Sequence, residues 1–211
     1  MKHNLLLLLL ILFLLAGCRS SKPVATVFYI LEYPDDKEIG EDTIPPLPLT
    51  IEITDVEVHP AFASHKMVMR EDSHQIKYFV NNQWAVRPAE GFARFMEEYF
   101  EHNKVFQEVQ TRYWNVLPDY QIVTSINHLE VIRDRRDFYA RLNVDFKLIG
   151  GEEGKVVVEH TADKSRLAEK RNLNLFTDAI SSMFFEELHY FAQKAQFELS
   201  QIYQQEIQAA E

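Results

Sequence analysis

The only thiol of the chain, at Cys18, is the residue whose chemistry the sequence raises first. A thiol can close a disulfide, act as a nucleophile, bind a metal or accept an acyl group. A single cysteine cannot close a disulfide within its own chain. No His, Asp or Glu lies near it in the sequence to activate a nucleophile. Modification of the thiol is the chemistry that remains.

The segment before Cys18 has the pattern of an export signal. Lys2 supplies a positive charge, and an unbroken apolar run follows from Leu5 to Leu15. At the rise of an α-helix this run spans about 16 Å, roughly half the hydrocarbon core of a bilayer. The run therefore predicts a signal peptide over residues 1–17 and not a permanent transmembrane span.

The stretch Leu15-Ala16-Gly17-Cys18 matches the lipobox of bacterial lipoproteins residue by residue. In that class the chain is cut between Gly17 and Cys18, and Cys18 carries a covalent diacylglycerol and an N-terminal acyl group. The alternative is a secretory peptide that has a cysteine here by chance, but its usual A-x-A ending is missing. Arg19 follows the cysteine, which under the sorting rule of enteric bacteria favours the periplasmic face of the outer membrane.

Outside Cys18, no spacing of residues indicates catalysis. The histidines have no HExxH or i, i+4 partner, and G-x-S-x-G, Walker and GxGxxG patterns are missing from the sequence. His59, His65 and His74 lie around one turn, so a fortuitous metal site is the alternative to plain surface histidines. The carboxylates are expected on solvated faces and in an acidic loop. We therefore predict no enzyme, no metal and no cofactor besides the acyl groups on Cys18.

The overall composition fits one packed domain in an acidic protein. The formal net charge is −10, which does not favour nucleic acid as a partner. Hydrophobic residues make up 46% of the chain and aromatic residues 12%, which is typical of a folded core. We divide the chain into a signal peptide at 1–17, the lipidated cysteine and a short tether at 18–24, and a domain at 25–211.

The periodicity of the domain predicts an α/β fold, with a mixed and mostly antiparallel sheet packed with two amphipathic helices. A first, buried strand is expected over 25–31, and the acidic, Pro-rich segment 32–48 is expected to form a surface loop. Residues 51–59 read as one strand with a bulge or twist. The remaining expected elements are strands at 66–70, 75–82, 105–109, 120–134, 138–150 and 155–162, and helices from Pro88 and over 172–204.

Three residues are candidates for binding a protein partner. Trp84 lies between a polar strand end and the first helix, where it either caps the core or contacts a partner or lipid. Tyr78 is its aromatic neighbour, and Arg70 could orient both side chains. The C-terminal stretch QIYQQEIQAAE is expected to be a solvated helix end, with a contact between copies in a homo-oligomer as the alternative.

With the lipobox and this order of elements, the chain resembles the ABC-type transport auxiliary lipoprotein family, which includes the lipoprotein of the paraquat-inducible intermembrane transport system. The stretches that carry the resemblance are VFYIL, IEITDVEVHPAFASHKMVMR, which ends at Arg70, and IKYFVNNQWAVRP, which contains Trp84, followed by the long last helix. The acidic loop at 32–48 departs from the family pattern. The role of that loop is open.

The resemblance implies a non-catalytic lipoprotein that faces the periplasm and works with an MCE-domain protein, whose tunnel carries lipids between the two membranes. An ABC permease and ATPase would serve the inner-membrane end, and this chain would dock the tunnel at the outer membrane. Two other classes stay open. One is a stand-alone envelope lipoprotein with a structural or assembly role, and the other is a periplasmic hydrolase.

Overall fold

The computed structural model describes residues 24–34, 45–112, 117–150, 154–168 and 172–210. The predicted signal peptide, Cys18 and most of the acidic loop lie outside these residues. The described part contains nine strands and two helices. The strands are β1 Val27–Tyr29, β2 Leu47–Ile53, β3 Glu57–Val58, β4 Lys66–Asp72, β5 Gln75–Trp84, β6 Phe106–Gln110, β7 Tyr120–Asp134, β8 Asp137–Gly150 and β9 Lys155–Leu167, and the helices are α1 Pro88–Asn103 and α2 Leu173–Ala210.

All nine strands belong to one sheet that is organised around β7. Along one edge of β7 the short strands β2, β3 and β4 follow one another, each parallel to it. Along the other edge lies β8, which is antiparallel to β7, and β9 in turn pairs antiparallel with β8. These long ladders, with the β4–β5 hairpin, contain most of the paired residues. The predicted fold class, a single α/β domain with a mixed and mostly antiparallel sheet and two helices, is confirmed.

The predicted strand over 51–59 is two strands, β2 and β3, separated by residues 54–56. Both pair with β7, β2 at Tyr120–Ile122 and β3 at Ser125–Ile126. At the break, the backbone N–H and the side-chain hydroxyl of Thr54 both donate to the carbonyl of Ile122, at 3.0 and 3.1 Å. The change of apolar phase in the sequence therefore marks an interruption of the strand and not a bulge within it. β2 also begins at Leu47, inside the segment that was expected to be loop.

The prediction of a buried first strand is wrong. β1 contains only Val27–Tyr29 and pairs with β5 at the edge of the sheet, and Val27 and Phe28 are exposed. A strand at an edge has only one neighbour to cover it. Apolar composition alone does not distinguish such a strand from a central one.

The two helices pack together on one face of the sheet, as their apolar stripes predict. The predicted stripe of α1 is buried throughout, and its members are Phe92, Phe95, Met96, Tyr99 and Phe100. The ring of Phe184 in α2 lies 4.6 Å from that of Phe92, 5.2 Å from that of Phe95 and 5.6 Å from that of Phe146 in β8, measured between centroids. These contacts join both helices to the sheet in one core. Among the residues that the structure describes, no helix covers the opposite face of the sheet, which we call the open face.

The helix α2 has 38 residues and runs to Ala210, past the predicted end at 204. Its buried side chains extend from Phe176 to Leu199, and the side chains described at 200–205 and 208 are partly or fully exposed. Within the described residues, neither helix has an apolar stretch long enough to cross a membrane.

Candidate functional site

The open face of the sheet displays the polar side chains of the long central strands. In β8 the residues Ala140, Leu142 and Val144 are buried toward the helices, so Arg141 and Asn143 point the other way. Antiparallel pairing places Asp163 of β9 directly beside Asn143, on the same face. The alternation predicted for β8 is confirmed, and it brings charged residues from neighbouring strands together.

The centre of the open face is the carboxylate of Glu130, which is 0% exposed. Arg70 of β4 reaches it from the neighbouring strand. Nε of Arg70 donates to Oε1 and Oε2 of Glu130 at 3.0 and 2.9 Å, and Nη2 lies 2.9 Å from Oε2. Nη1 of Arg70 donates to the carbonyl of Ser73 at 3.1 Å, so the guanidinium is held on two sides.

Arg141 extends this ion pair into a network across β7, β8 and β9. Its Nη1 lies 3.5 Å from Oε1 of Glu130, and its Nε and Nη2 donate to the two oxygens of Asp163 at 3.0 and 2.8 Å. The hydrogen bonds from Arg141 hold the pKa of the Asp163 carboxyl below its usual range, and the same bonds raise the pKa of Arg141. Two arginines and two acids thus neutralise one another on four adjacent strands.

His128 completes the network as a neutral donor. Its Nδ1 lies 3.2 Å from Oε1 of Glu130 and carries the proton that the carboxylate accepts. Burial, with the charge of Arg141 beside it, lowers the pKa of His128. The ring of Phe62, from the turn after β3, lies 5.7 Å from the imidazole and covers this side of the network.

Glu130 corrects the expectation that the carboxylates occupy solvated faces. A fully buried carboxylate without partners would lose several kcal/mol of solvation, so a cation must accompany it. The signal in the sequence is an acid between two apolar residues, Leu129 and Val131, inside a long strand. Its partners could not be read from the sequence, since Arg70 and Arg141 lie on strands whose register with β7 is not local.

Two of the three predicted binding residues come together on the open face. Arg70 pairs with Ile76 and Val68 pairs with Tyr78 along the β4–β5 hairpin, so Tyr78 lies on the face that Arg70 occupies. The Tyr78 side chain is 44% exposed. Its hydroxyl donates to the carbonyl of Ala61 at 3.3 Å, and Nζ of Lys66 lies 5.8 Å from the centre of its ring. Tyr78 is a partly fixed aromatic side chain that offers a free surface beside the charged network.

The third residue, Trp84, is part of the core. It is only 3% exposed, and its ring lies 6.1 Å from that of Phe176 in α2. The structure therefore supports the interpretation of Trp84 as a core cap. With so little exposed surface, Trp84 is not available as an anchor for a partner in this fold. Tyr78, on the same strand, does reach solvent.

The three histidines of the predicted turn, His59, His65 and His74, each bind a different partner. Nδ1 of His59 accepts a hydrogen bond from the backbone N–H of Ala61 at 3.3 Å, and Nδ1 of His65 donates to the carbonyl of Trp84 at 3.1 Å. His74 contacts the hydroxyl of Ser73. Among the residues that the structure describes, no group of three His, Cys, Asp or Glu side chains could hold a metal ion.

A second charged cluster joins α2 to β9 on the helical side. Oε2 of Glu187 lies 2.7 Å from Nε2 of His160, and its Oε1 lies 2.9 Å from Nζ of Lys164. Burial acts to raise the pKa of Glu187, but the hydrogen bonds from Lys164 and His160 outweigh it and lower the pKa. This cluster joins the helix to the sheet.

A depression in the described surface lies between α1 and β6 and has a volume of about 740 Å³. Its lining includes Glu97, Glu101, Lys104 and Glu108. A groove with this many charged side chains does not match the acyl chains of a lipid, which require an apolar lining.

Comparisons with known proteins agree with this fold. The chain resembles the crystal structure of a protein from Xanthomonas campestris, of the family DUF330, with 13% identity and a TM-score of 0.67 over 86% of this chain and 98% of that one. It also resembles the crystal structure of an uncharacterized protein, with 11% identity and a TM-score of 0.64 over 82% and 99%.

A weaker likeness is to the PelC dodecamer of Paraburkholderia phytofirmans, with 10% identity and a TM-score of 0.43 over 68% and 90%. No curated protein matches the chain in sequence. The sequence model of the family described as ABC-type transport auxiliary lipoprotein component matches residues 29–184, which is most of the domain. The chain belongs to this family of ABC-type transport auxiliary lipoproteins.

Proposed function

We propose that this protein is a non-catalytic, outer-membrane lipoprotein that docks the MCE tunnel protein of an intermembrane lipid transport system. The observation that carries the proposal is the match to the transport auxiliary family over 29–184, in a chain whose lipobox ends at Cys18. Family membership supports a role beside an ABC-type transporter. The outer membrane, the MCE partner and the docking step are our proposal.

The anchor in this proposal is Cys18. After cleavage behind Gly17, the thiol carries a diacylglycerol and the new N-terminus carries an acyl chain. Each buried CH₂ contributes about 0.8 kcal/mol, so two or three chains hold the protein on a membrane without a transmembrane helix. Arg19 is the residue that assigns the protein to the outer membrane under the sorting rule.

The docking surface in this proposal is the open face around Tyr78. A protein interface typically has an aromatic anchor at its centre and polar groups that are already held in place around it. Tyr78 supplies an exposed aromatic surface, and the ion pairs of Arg70 and Arg141 with Glu130 fix the polar side chains next to it. Because these side chains are already ordered, binding costs less conformational entropy than it would on a flexible surface.

The anchor is tested by the mass of the N-terminal peptide of protein purified from membranes. We expect the peptide that begins at Cys18 to carry the mass of its acyl chains. In Cys18→Ser the acyl mass should vanish and an uncleaved or mislocalised precursor should accumulate. Ser21→Ala, which leaves the lipobox unchanged, is the control. Wild-type protein with an unmodified thiol at Cys18 would contradict the proposed anchor.

The partner is tested by co-purification of the acylated protein with the MCE protein encoded beside it. We expect the two proteins to elute together in detergent, whether or not the permease and ATPase of the same system are present. A neighbourhood without MCE or ABC genes, or an acylated protein that ignores the MCE protein, would favour a stand-alone envelope lipoprotein and contradict the docking role.

A further inference from the structure

The N-terminal edge of the sheet carries apolar side chains that no other part of the described chain covers. Phe28 is 61% exposed and Val80 is 81% exposed, and Val24, Val27 and Ile30 are exposed as well. Val27 pairs with Asn82 of β5, and Val80 lies two residues before Asn82 along the same strand. These five residues lie along neighbouring strands at one border of the sheet, and we call them the apolar edge.

An apolar edge strand of this kind is rare on a surface that meets only water. Natural proteins protect exposed edge strands with short length, charges, prolines or a covering element, because an unprotected edge pairs with other chains. Of these protections β1 has the short length, with three residues. The segment from Val24 to Ile30 contains neither a charged residue nor a proline. Several exposed apolar side chains next to one another mark a surface that is covered in the working state of a protein.

The position of the apolar edge in the chain indicates what covers it. Val24 is only the sixth residue after Cys18. Even a fully extended chain of this length spans only about 20 Å, so an acylated Cys18 holds the edge within that distance of the lipid surface. No other part of the described domain is tied to the anchor by so short a stretch of chain.

The charge of this stretch fits a lipid surface as well. Between Cys18 and Leu31 the chain has two basic residues, Arg19 and Lys22, and no acid, whereas the whole chain has a net charge of −10. The first acid after the cysteine is Glu32. Basic residues beside apolar ones are the combination that binds the interface of a membrane with anionic headgroups.

We infer that the apolar edge inserts into the interfacial layer of the bilayer that holds acylated Cys18, as a second point of attachment. This inference rests on the proposed lipidation of Cys18 and goes beyond it. Acyl chains alone leave the domain free to rotate on its tether. An inserted edge gives the domain a fixed orientation, so that Tyr78 on the open face keeps a constant direction relative to the membrane.

The experiment measures quenching of an introduced tryptophan by brominated acyl chains. Acylated full-length protein is reconstituted into vesicles of phosphatidylcholine and phosphatidylglycerol, with and without bromine on the chains. The variants are Phe28→Trp and Val80→Trp in the apolar edge. The control is Phe197→Trp in α2, because Phe197 is 61% exposed, as is Phe28, but lies far along the chain from the anchor. Wild-type protein, with its two native tryptophans, gives the background.

We expect the brominated chains to remove more than half of the emission added by Phe28→Trp and Val80→Trp and none of that added by Phe197→Trp. Equal quenching of all three variants would overturn the inference. So would a blue-shifted emission of Phe28→Trp that bromine does not quench, since that result means that a second copy or another protein covers the edge. The mass of the same sample separates the two proposals. Without acyl mass, the proposed lipidation fails and the inference fails with it, whereas with acyl mass and no quenching the inference fails alone.

Discussion

Arg70 and Glu130 join two strands that share very little backbone pairing. β4 and β7 pair at only two positions, Met69 with Val131 and Arg70 with Ile132. The guanidinium of Arg70 crosses this short ladder and contacts both oxygens of the buried Glu130 carboxylate. The ion pair therefore supplies a connection between the β4–β5 hairpin and the centre of the sheet where backbone hydrogen bonds are few.

Arg70→Gln should destabilise the fold, because it leaves the buried carboxylate of Glu130 with only the longer contact to Arg141 and the hydrogen bond from neutral His128. Removing one partner of a buried pair lowers the free energy of unfolding by about 3–5 kcal/mol, and we expect a value near the lower end because Arg70 is partly exposed. Chemical denaturation measures this change. The control is Arg94→Gln, whose exposed pair with Glu98 on α1 should contribute less than about 0.5 kcal/mol. Equal effects of the two substitutions would show that the pair is not a structural connection.

Trp84→Ala should be costly because it opens a cavity against Phe176. Large-to-small substitutions of a buried aromatic residue lower the free energy of unfolding by about 3–5 kcal/mol. Tyr78→Ala, at a half-exposed position of the same strand, should cost less than about 1 kcal/mol. Denaturation of both variants checks the assignment. A Trp84→Ala variant as stable as wild type would contradict the assignment of Trp84 to the core.

Acid should weaken the fold below about pH 6.5, the pKa of an unperturbed histidine. Burial lowers the pKa of His189, whose Nδ1 accepts from the hydroxyl of Tyr99 at 2.9 Å, and burial also lowers that of His128. As the pH falls through this value, the unfolded chain takes up protons that the folded imidazoles do not, so the free energy of unfolding falls. The lowered pKa values of Asp163 and Glu187 add a loss in the same direction only at lower pH, below about 4.5.

The measurement is the difference in unfolding free energy between pH 7 and pH 5 for wild type and His189→Gln. We expect the difference to shrink in the variant. His74→Gln, at an exposed turn of the β4–β5 hairpin, is the control and should leave the difference unchanged. A wild-type protein that is more stable at pH 5 than at pH 7 would contradict the assignment of neutral, buried histidines.

Two glycines should respond oppositely to alanine. At Gly150 a Cβ would lie 2.1 Å from Cδ1 of Tyr120 on the paired strand, so the tyrosine ring must move, at a cost of about 1–3 kcal/mol. At Gly91 in α1 the nearest atoms to a Cβ are side-chain carbons 3.6 Å away, and alanine should raise stability by about 0.5–1 kcal/mol. Thermal melting of both variants checks this contrast, and a stabilising Gly150→Ala would show that Tyr120 packs elsewhere.

The parts of the fold with a regular period could be predicted from the sequence. The stripe of α1 and the alternation of β8 depend only on neighbours along the chain, and both were correct. The exposed β1 and the break between β2 and β3 could not be predicted, because they depend on which strand lies beside them.

The candidate site was predicted only in part for the same reason. Arg70 and Tyr78 were selected from the sequence and lie on one face, but the centre of that face, Glu130, was not selected. A charged residue in an apolar strand signals a buried partner, yet the sequence does not show which of its many arginines and lysines supplies it. Arg70 is this partner because β4 pairs in parallel with β7, although a long stretch of chain separates the two strands.

The most direct test of the account is the affinity of the MCE protein for acylated protein in lipid nanodiscs, with Tyr78→Ala compared with Tyr203→Ala. The two tyrosines are similarly exposed, at 44% and 39%, but Tyr203 lies near the end of α2, away from the open face. An anchor at the centre of an interface contributes about 2 kcal/mol or more, so Tyr78→Ala should weaken binding at least about thirtyfold. Tyr203→Ala should bind as wild type does. Equal affinities for the two variants would contradict docking at the open face, and an acylated wild-type protein that does not bind the MCE protein would contradict the proposed function itself.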